Sequence, residues 1–337
     1  MRALLFLPVV AAATAAGQDI RFRDRVDVES VVVDARVVDG AGRPILGLTA
    51  RDFRVKVEGR VVELESAAWV ADDGPPDPAA RAAALEAGMP AGQARGRLVV
   101  FFFQKDLESS RIMGLLQMLR RAREMLDTFG PDDRVAVASF DSHLELWTDF
   151  TADRARLRRI LDHAVLFERR PSRDVETEPS LAARFDPVAG RRAATPEAAL
   201  LLLGQALQDL PGSKSLVLFG WGMGRWSPGV GVFLDDAYGP ARRALVAGRV
   251  TVFALDVTRA DDHTLEVGLE QVAADTGGFY AKTHLFPDQA LARLEHALRG
   301  HYVLTFARPP LTPGEHALDI ALVGRKGTVM ARPSYEG

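Results

Sequence analysis

The sequence predicts an α/β fold: a doubly wound, mostly parallel six-stranded sheet, inserted in a β-sandwich formed by both chain ends. Three observations carry this expectation. The runs Arg97-Leu-Val-Val-Phe-Phe-Phe103, Ser215-Leu-Val-Leu-Phe219 and Val250-Thr-Val-Phe-Ala-Leu255 are apolar on both faces, as central parallel strands covered by helices on either side must be. Helical periodicity alternates with these runs. Both ends of the chain read instead as strands and turns, and neither end has enough strands to close a core unaided.

Composition narrows the function classes. Among 337 residues, 47% are apolar and the formal net charge is -3, so a sizeable core is available and no concentrated basic surface for nucleic acid or anionic membranes is expected. Met1-Arg2, the apolar run Ala3 to Ala13, and the small residues Thr14-Ala15-Ala16-Gly17 follow the order of a secretory signal peptide, assigned to residues 1–16. No later stretch reaches the ~20 apolar residues of a membrane span. Cysteine is absent, which leaves no disulfide and no lipidated cysteine to stabilise or anchor an exported chain. The expected location is periplasmic or extracellular.

Residues 17–71 form the first part of the expected sandwich. Val31, Val33, Val37 and Val38 lie in a β-branched run broken by Asp39-Gly-Ala-Gly-Arg-Pro44; the alternation Phe53-x-Val55-x-Val57 and the turn Glu58-Gly59-Arg60 follow. Residues 72–96, rich in Pro, Ala and Gly, read as a linker.

Residues 97–300 are the α/β part. Ile112, Leu115, Leu116, Leu119, Ala122, Leu126 and Phe129 share one helical face, with Ser109 or Ser110 as the expected N-cap. Arg134 to Phe140 is the next strand, and Asp141-Ser142-His143 turns it into an antiparallel edge hairpin with Leu144 to Trp147. Thr151 is expected to cap a helix bearing Leu157, Ile160 and Leu161. Residues 168–194, charged and interrupted by proline, read as a long mobile insertion. Thr195-Pro196-Glu197 opens another helix in cap, proline, acid order. Strand 215–219 ends in Gly220-Trp-Gly-Met-Gly224. Further helices precede Gly248, Thr276-Gly277-Gly278 and Gly300. Residues 301–337 return to strands, Tyr302 to Phe306, His316 to Val323 and Thr328 to Ala331, and complete the sandwich.

Several stretches, in order, carry a likeness to a known family: Val37 to Phe53 (Val-Val-Asp-Gly-Ala-Gly-Arg-Pro-Ile-Leu-Gly-Leu-Thr-Ala-Arg-Asp-Phe), Asp132-Asp-Arg-Val-Ala-Val-Ala-Ser-Phe140, Asp149-Phe-Thr-Ala-Asp153, Leu210-Pro-Gly-Ser-Lys-Ser-Leu-Val-Leu-Phe219, Ala273-Ala-Asp-Thr-Gly-Gly278 and Tyr302-Val-Leu-Thr-Phe306. Together they resemble the von Willebrand factor type A-related proteins of the Acidobacteria type. The resemblance implies protein binding at the carboxyl ends of the strands. It also implies a metal-ion-dependent adhesion site, built in the wider superfamily from D-x-S-x-S after the first strand, a middle threonine, and an aspartate after the fourth strand.

That site is expected to be degenerate. Gln104 stands directly after the strand, Asp106-Leu-Glu-Ser-Ser110 comes two residues late, and Gly220-Trp221-Gly222 brings no carboxylate where relatives have Ser-Asp-Gly. Hard oxygen ligands in octahedral geometry are what Mg2+ requires. The first expectation is therefore an interaction protein of adhesion or scaffold type, contacting a protein partner through Gln104, Lys105, Asp106, Ser110, Thr195 and Trp221, with no cofactor and no enzyme activity. The second is an envelope hydrolase using the same crevice. The third is Mg2+ or Ca2+ in a shifted site of Asp106, Glu108, Ser110 and Thr195.

Other motifs lend little. Gly220-Trp-Gly-Met-Gly224 lacks the third glycine of a dinucleotide fingerprint, with Arg225 in its place. Asp261-Asp262-His263 offers metal-binding atoms, but an acidic stretch before a helix reads first as cap and dipole compensation. No G-x-S-x-G elbow and no H-E-x-x-H helix occurs.

Overall fold

Alternating valines send one face of β1 (Ser30–Val38) into an apolar layer: Val31, Val33, Ala35 and Val37 are all buried. The computed structural model describes residues 30–71, 96–167 and 179–337. The expected signal peptide and nearly all of the expected linker lie outside the described residues. After β1 come β2 (Phe53–Val57), β3 (Arg60–Val62) and β4 (Ser66–Ala71). The α/β part begins with β5 (Leu98–Gln104), α1 (Ser109–Met125), β6 (Arg134–Phe140) and β7 (Leu144–Thr151). It continues with α2 (Arg154–Arg159), prolonged by a π turn at Ile160–Ala164 and a last turn at Val165–Phe167, then α3 (Pro187–Arg192) and α4 (Pro196–Gln208). Next are β8 (Lys214–Gly220), the short pair β9 (Arg225–Ser227) and β10 (Gly231–Phe233), α5 (Tyr238–Ala247) and β11 (Val250–Asp256). The chain closes with α6 (Glu266–Asp275), β12 (Tyr280–Lys282), α7 (Pro287–Ala297), β13 (Gly300–Ala307), β14 (Glu315–Leu322), β15 (Thr328–Ala331) and β16 (Ser334–Glu336).

The large sheet has the order β12-β11-β8-β5-β6-β7. All pairings are parallel except β6 with β7, the expected antiparallel edge. In register, Phe101 lies between Val137 and Val217. Every residue of β5 is buried, and its side chains divide by alternation. Val99, Phe101 and Phe103 join Leu115, Leu119, Leu157 and Leu294 on one side. Val100 and Phe102 join Leu200, Leu203, Leu245 and Leu269 on the other. Chain order reverses between β5 and β8, the switch point beyond whose carboxyl ends ligands bind in open sheets of this kind.

Two further antiparallel sheets use both chain ends: β15-β1-β13-β4 and β16-β14-β2-β3. Val33, Val55, Tyr302, Phe306 and Leu318, drawn from both sheets, share one buried cluster. A row of arginines fixes these sheets to the amino-terminal end of the parallel sheet. Arg36 donates to Thr251 Oγ1 and to the Ala297 carbonyl, each at 2.9 Å. Arg249 pairs with Asp34, and Arg242 pairs with Glu315. Among the described residues, these contacts lie at the end of the strands opposite Gln104.

Local readings need correction at three places. The N-cap of α1 is Glu108, not Ser109 or Ser110. Asp153, not Thr151, caps α2, its carboxylate accepting from Arg156 N at 3.0 Å. The expected mobile insertion is built in its described second half: buried Asp149 accepts from Leu181 N at 2.6 Å and from the Ser180 hydroxyl, and Leu181 is fully buried. No helix among the described residues is long and apolar enough to cross a membrane.

Candidate functional site at the crest of the parallel sheet

Gln104 ends β5 fully buried, so its amide must find partners inside the protein. It finds them across the switch point. Oε1 accepts from Trp221 N at 2.8 Å and Gly222 N at 3.3 Å, while Nε2 donates to the Gly222 carbonyl at 3.0 Å. The loop after β8 is thereby pinned. Gly222 has φ +152°, and a Cβ there would meet Leu265 Cβ at 2.5 Å, so only glycine lets the loop lie against the residue before α6. Met223 N donates to the Leu265 carbonyl at 3.1 Å and completes the seam.

Asp106 and Glu108 both face Arg111. Its guanidinium bonds Asp106 and lies 3.2 Å from Glu108. Ser110 donates to Glu108 Oε1 at 2.8 Å. Partial burial opposes ionisation of Asp106, but the Glu108 backbone N–H and the Arg111 guanidinium outweigh it and hold the carboxyl below its ordinary range. The same guanidinium stacks on the Trp221 ring, 4.0 Å from its centroid. Gln104, Asp106, Ser110 and Trp221 thus belong to one connected group, centred on Arg111, whose importance the sequence did not signal.

Lys105 turns away from that group. Its ammonium lies 3.1 Å from Asp141 and 4.0 Å from Glu145, over the Trp147 ring. Thr195 accepts from Ala198 N at 3.2 Å, the N-cap role expected of it, and begins α4. The Trp221 indole Nε1 is buried with no hydrogen-bond partner among the described residues.

A second group of polar side chains stands at the end of β11. Asp256, His263 and Glu266 converge there with Tyr280. The triplet Asp261-Asp262-His263 is split: His263 meets Asp256, whereas Asp261 and Asp262 reach His284 and Lys282. Burial and the neighbouring Asp256 raise the Tyr280 pKa, and hydrogen bonding to Asp262 raises that of Lys282, so both stay protonated at neutral pH. Sequence reasoning did not single out Asp256, whose partners are spread over two other elements and a loop, beyond the reach of motif spacing.

No family profile matches the chain, and no curated protein matches it. Among solved structures it is similar to a von Willebrand factor type A protein from Catenulispora acidiphila, with 9% identity over 87% of this chain and 74% of that one at a TM-score of 0.43. It is similar also to the ArnB paralog VWA2 from Sulfolobus acidocaldarius, with 8% identity, coverages of 91% and 75%, and a TM-score of 0.36. A third likeness is to the vWF domain of the type V pili tip protein Mfa5 from Porphyromonas gingivalis, with 12% identity, coverages of 59% and 93%, and a TM-score of 0.38.

Proposed function

We propose that this chain is an exported protein-protein interaction protein of adhesion or scaffold type. Its von Willebrand A-like domain, residues 97–300, is carried on a β-sandwich made from residues 17–71 and 301–337, and its metal-ion-dependent adhesion site is degenerate. The observation that carries the reading is the Arg111–Trp221 stack at the crest, both side chains partly exposed, with the indole N–H lacking an acceptor among the described residues. Tryptophan and arginine are the side chains that most often dominate protein interfaces. The exposed part of the stack is the contact area offered to a partner.

The donor set does not suit Mg2+ or Ca2+. Gln104 is uncharged and its oxygen is committed to two backbone N–H groups. Asp106 and Glu108 are matched by Arg111, and the loop after β8 brings no carboxylate. In this reading recognition proceeds by shape and side-chain contact, without a cation at Asp106.

The test is recovery of protein partners from envelope extract by the purified chain, beside a variant carrying Trp221→Ala and Asp106→Ala. A partner retained by the wild type and lost by the variant supports the crest; equal recovery by both removes the site from it. A second reading, an envelope hydrolase, is favoured by the Asp256–His263 pair at 2.7 Å. Ester or peptide hydrolysis abolished by His263→Ala would establish it, and no turnover of either substrate class would retire it.

A further inference from the structure

The carboxyl end of β11 holds a group of side chains for which protein recognition at Trp221 has no use. Asp256 is buried; its Oδ1 accepts from Thr258 N at 2.8 Å, and its Oδ2 accepts from the Tyr280 hydroxyl at 2.8 Å. His263 Nε2 lies 2.7 Å from the same Oδ2. Glu266, first residue of α6, turns its Oε2 to the Tyr280 hydroxyl at 3.3 Å and to Lys282 Nζ at 3.0 Å. One ligand atom each from Asp256, His263 and Glu266 falls within 4.8 Å of the others. The group is open on one side, where His263 and Glu266 line a cavity of about 510 Å³ together with Asp262, Thr264, Val232 and Val267.

We propose that Asp256, His263 and Glu266 bind a divalent transition metal of the Zn2+ class through one imidazole and two carboxylates, with the remaining position facing the cavity. Bonds of about 2.0–2.2 Å set tetrahedral ligand atoms about 3.3–3.6 Å apart. The His263–Asp256 pair must open by less than about 1 Å to admit the ion, and Glu266 must close by no more than about 1.5 Å, movements within side-chain rotation. Imidazole selects Zn2+ over Mg2+ and Ca2+. Tyr280, donating to both carboxylates, and Thr258 N, holding the far oxygen of Asp256, supply the outer hydrogen bonds that orient metal ligands.

Lys282 is the competitor. It also bonds Asp262 at 2.8 Å and the Asp261 carbonyl, so it keeps partners when Glu266 swings to the metal. Neither the metal site nor protein recognition at the crest depends on the other.

The test is calorimetric titration of the EDTA-stripped, dialysed protein with Zn2+. One saturable site per chain is expected, weakened about tenfold or more by His263→Ala and by Glu266→Gln, unchanged by His143→Ala, and not displaced by about 1 mM Mg2+. Far-UV circular dichroism of each variant separates loss of ligands from loss of fold, and the isosteric Glu266→Gln leaves α6 with the same side-chain volume. Lys282→Met is expected to tighten the site by removing the competing ammonium. Wild-type affinity retained in folded His263→Ala, or no saturable site in the wild type, overturns the proposal.

Discussion

Gln104 joins two strands' worth of backbone through a single neutral amide. Because the side chain is fully buried, Gln104→Ala strands the N–H groups of Trp221 and Gly222 and the Gly222 carbonyl together. Loss of about 2–3 kcal/mol is expected in urea unfolding, the upper part of the range for leaving buried polar groups unpaired; a change under about 0.5 kcal/mol would mean the loop is held by other contacts. Lys214, at the opposite end of β8, gives a pH prediction. Burial, with Arg249 nearby, depresses its pKa to about 7, while the unfolded chain titrates near the ordinary lysine value. Between those two values the unfolded state binds more protons, so stability rises with pH across that window. Thermal melts at about pH 7 and about pH 9 should show wild type gaining stability relative to Lys214→Met, whose own profile lacks this component. Parallel profiles for the two proteins would contradict the assignment.

Among the elements, the three central strands were legible because they have no exposed face: β5, β8 and β11 are buried throughout, and a short unbroken apolar run between turn signals fits a strand covered by helices on both sides. The pair β9–β10 was not, since Trp226 and Phe233 are exposed and glycines surround them, giving neither alternation nor a standard two-residue turn. At the candidate site the sequence named Gln104, Asp106, Ser110 and Trp221, and these do meet; Arg111 and the Asp256–His263–Glu266 group were missed because their partners converge only in space. The helix capped by Thr195 followed its cap, proline and acid signals. The start of α2 did not follow Thr151, because Thr151 still belongs to β7 and its hydroxyl accepts from Asp153 N at 3.1 Å instead. The contact of α1 with the crest makes its own prediction. A Cβ on Gly114 would stand 1.8 Å from the Val257 carbonyl oxygen, so Gly114→Ala must push α1 off the end of β11. Destabilisation of about 1–3 kcal/mol in chemical unfolding is expected, as for overpacked cores; a neutral result would require α1 to shift freely.

For the molecule as a whole, the antiparallel sheets at the chain ends and the parallel sheet are joined through charges. Arg249 donates to Asp34 at 3.0 Å, and Asp34 also lies 3.4 Å from His301. Burial opposes the charge of Asp34, but Arg249 and His301 override it and hold the carboxyl well below its ordinary range. Arg249→Ala leaves that buried carboxylate short of its main cation and should cost about 3–5 kcal/mol, read as a lowered midpoint in urea. The described parts of the chain ends carry this joint at the end of the strands opposite the crest. At the crest Gln104 and Arg111 bind the loop and the acids to one another, and the proposed function has a partner meet this surface without a cation. The direct measurement is the melting temperature of the EDTA-stripped protein with and without about 1 mM Mg2+ or Ca2+, since an ion held only by the native state must raise it. No shift is the expected result; a rise in melting temperature that disappears in Asp106→Ala would contradict a crest that works without a cation.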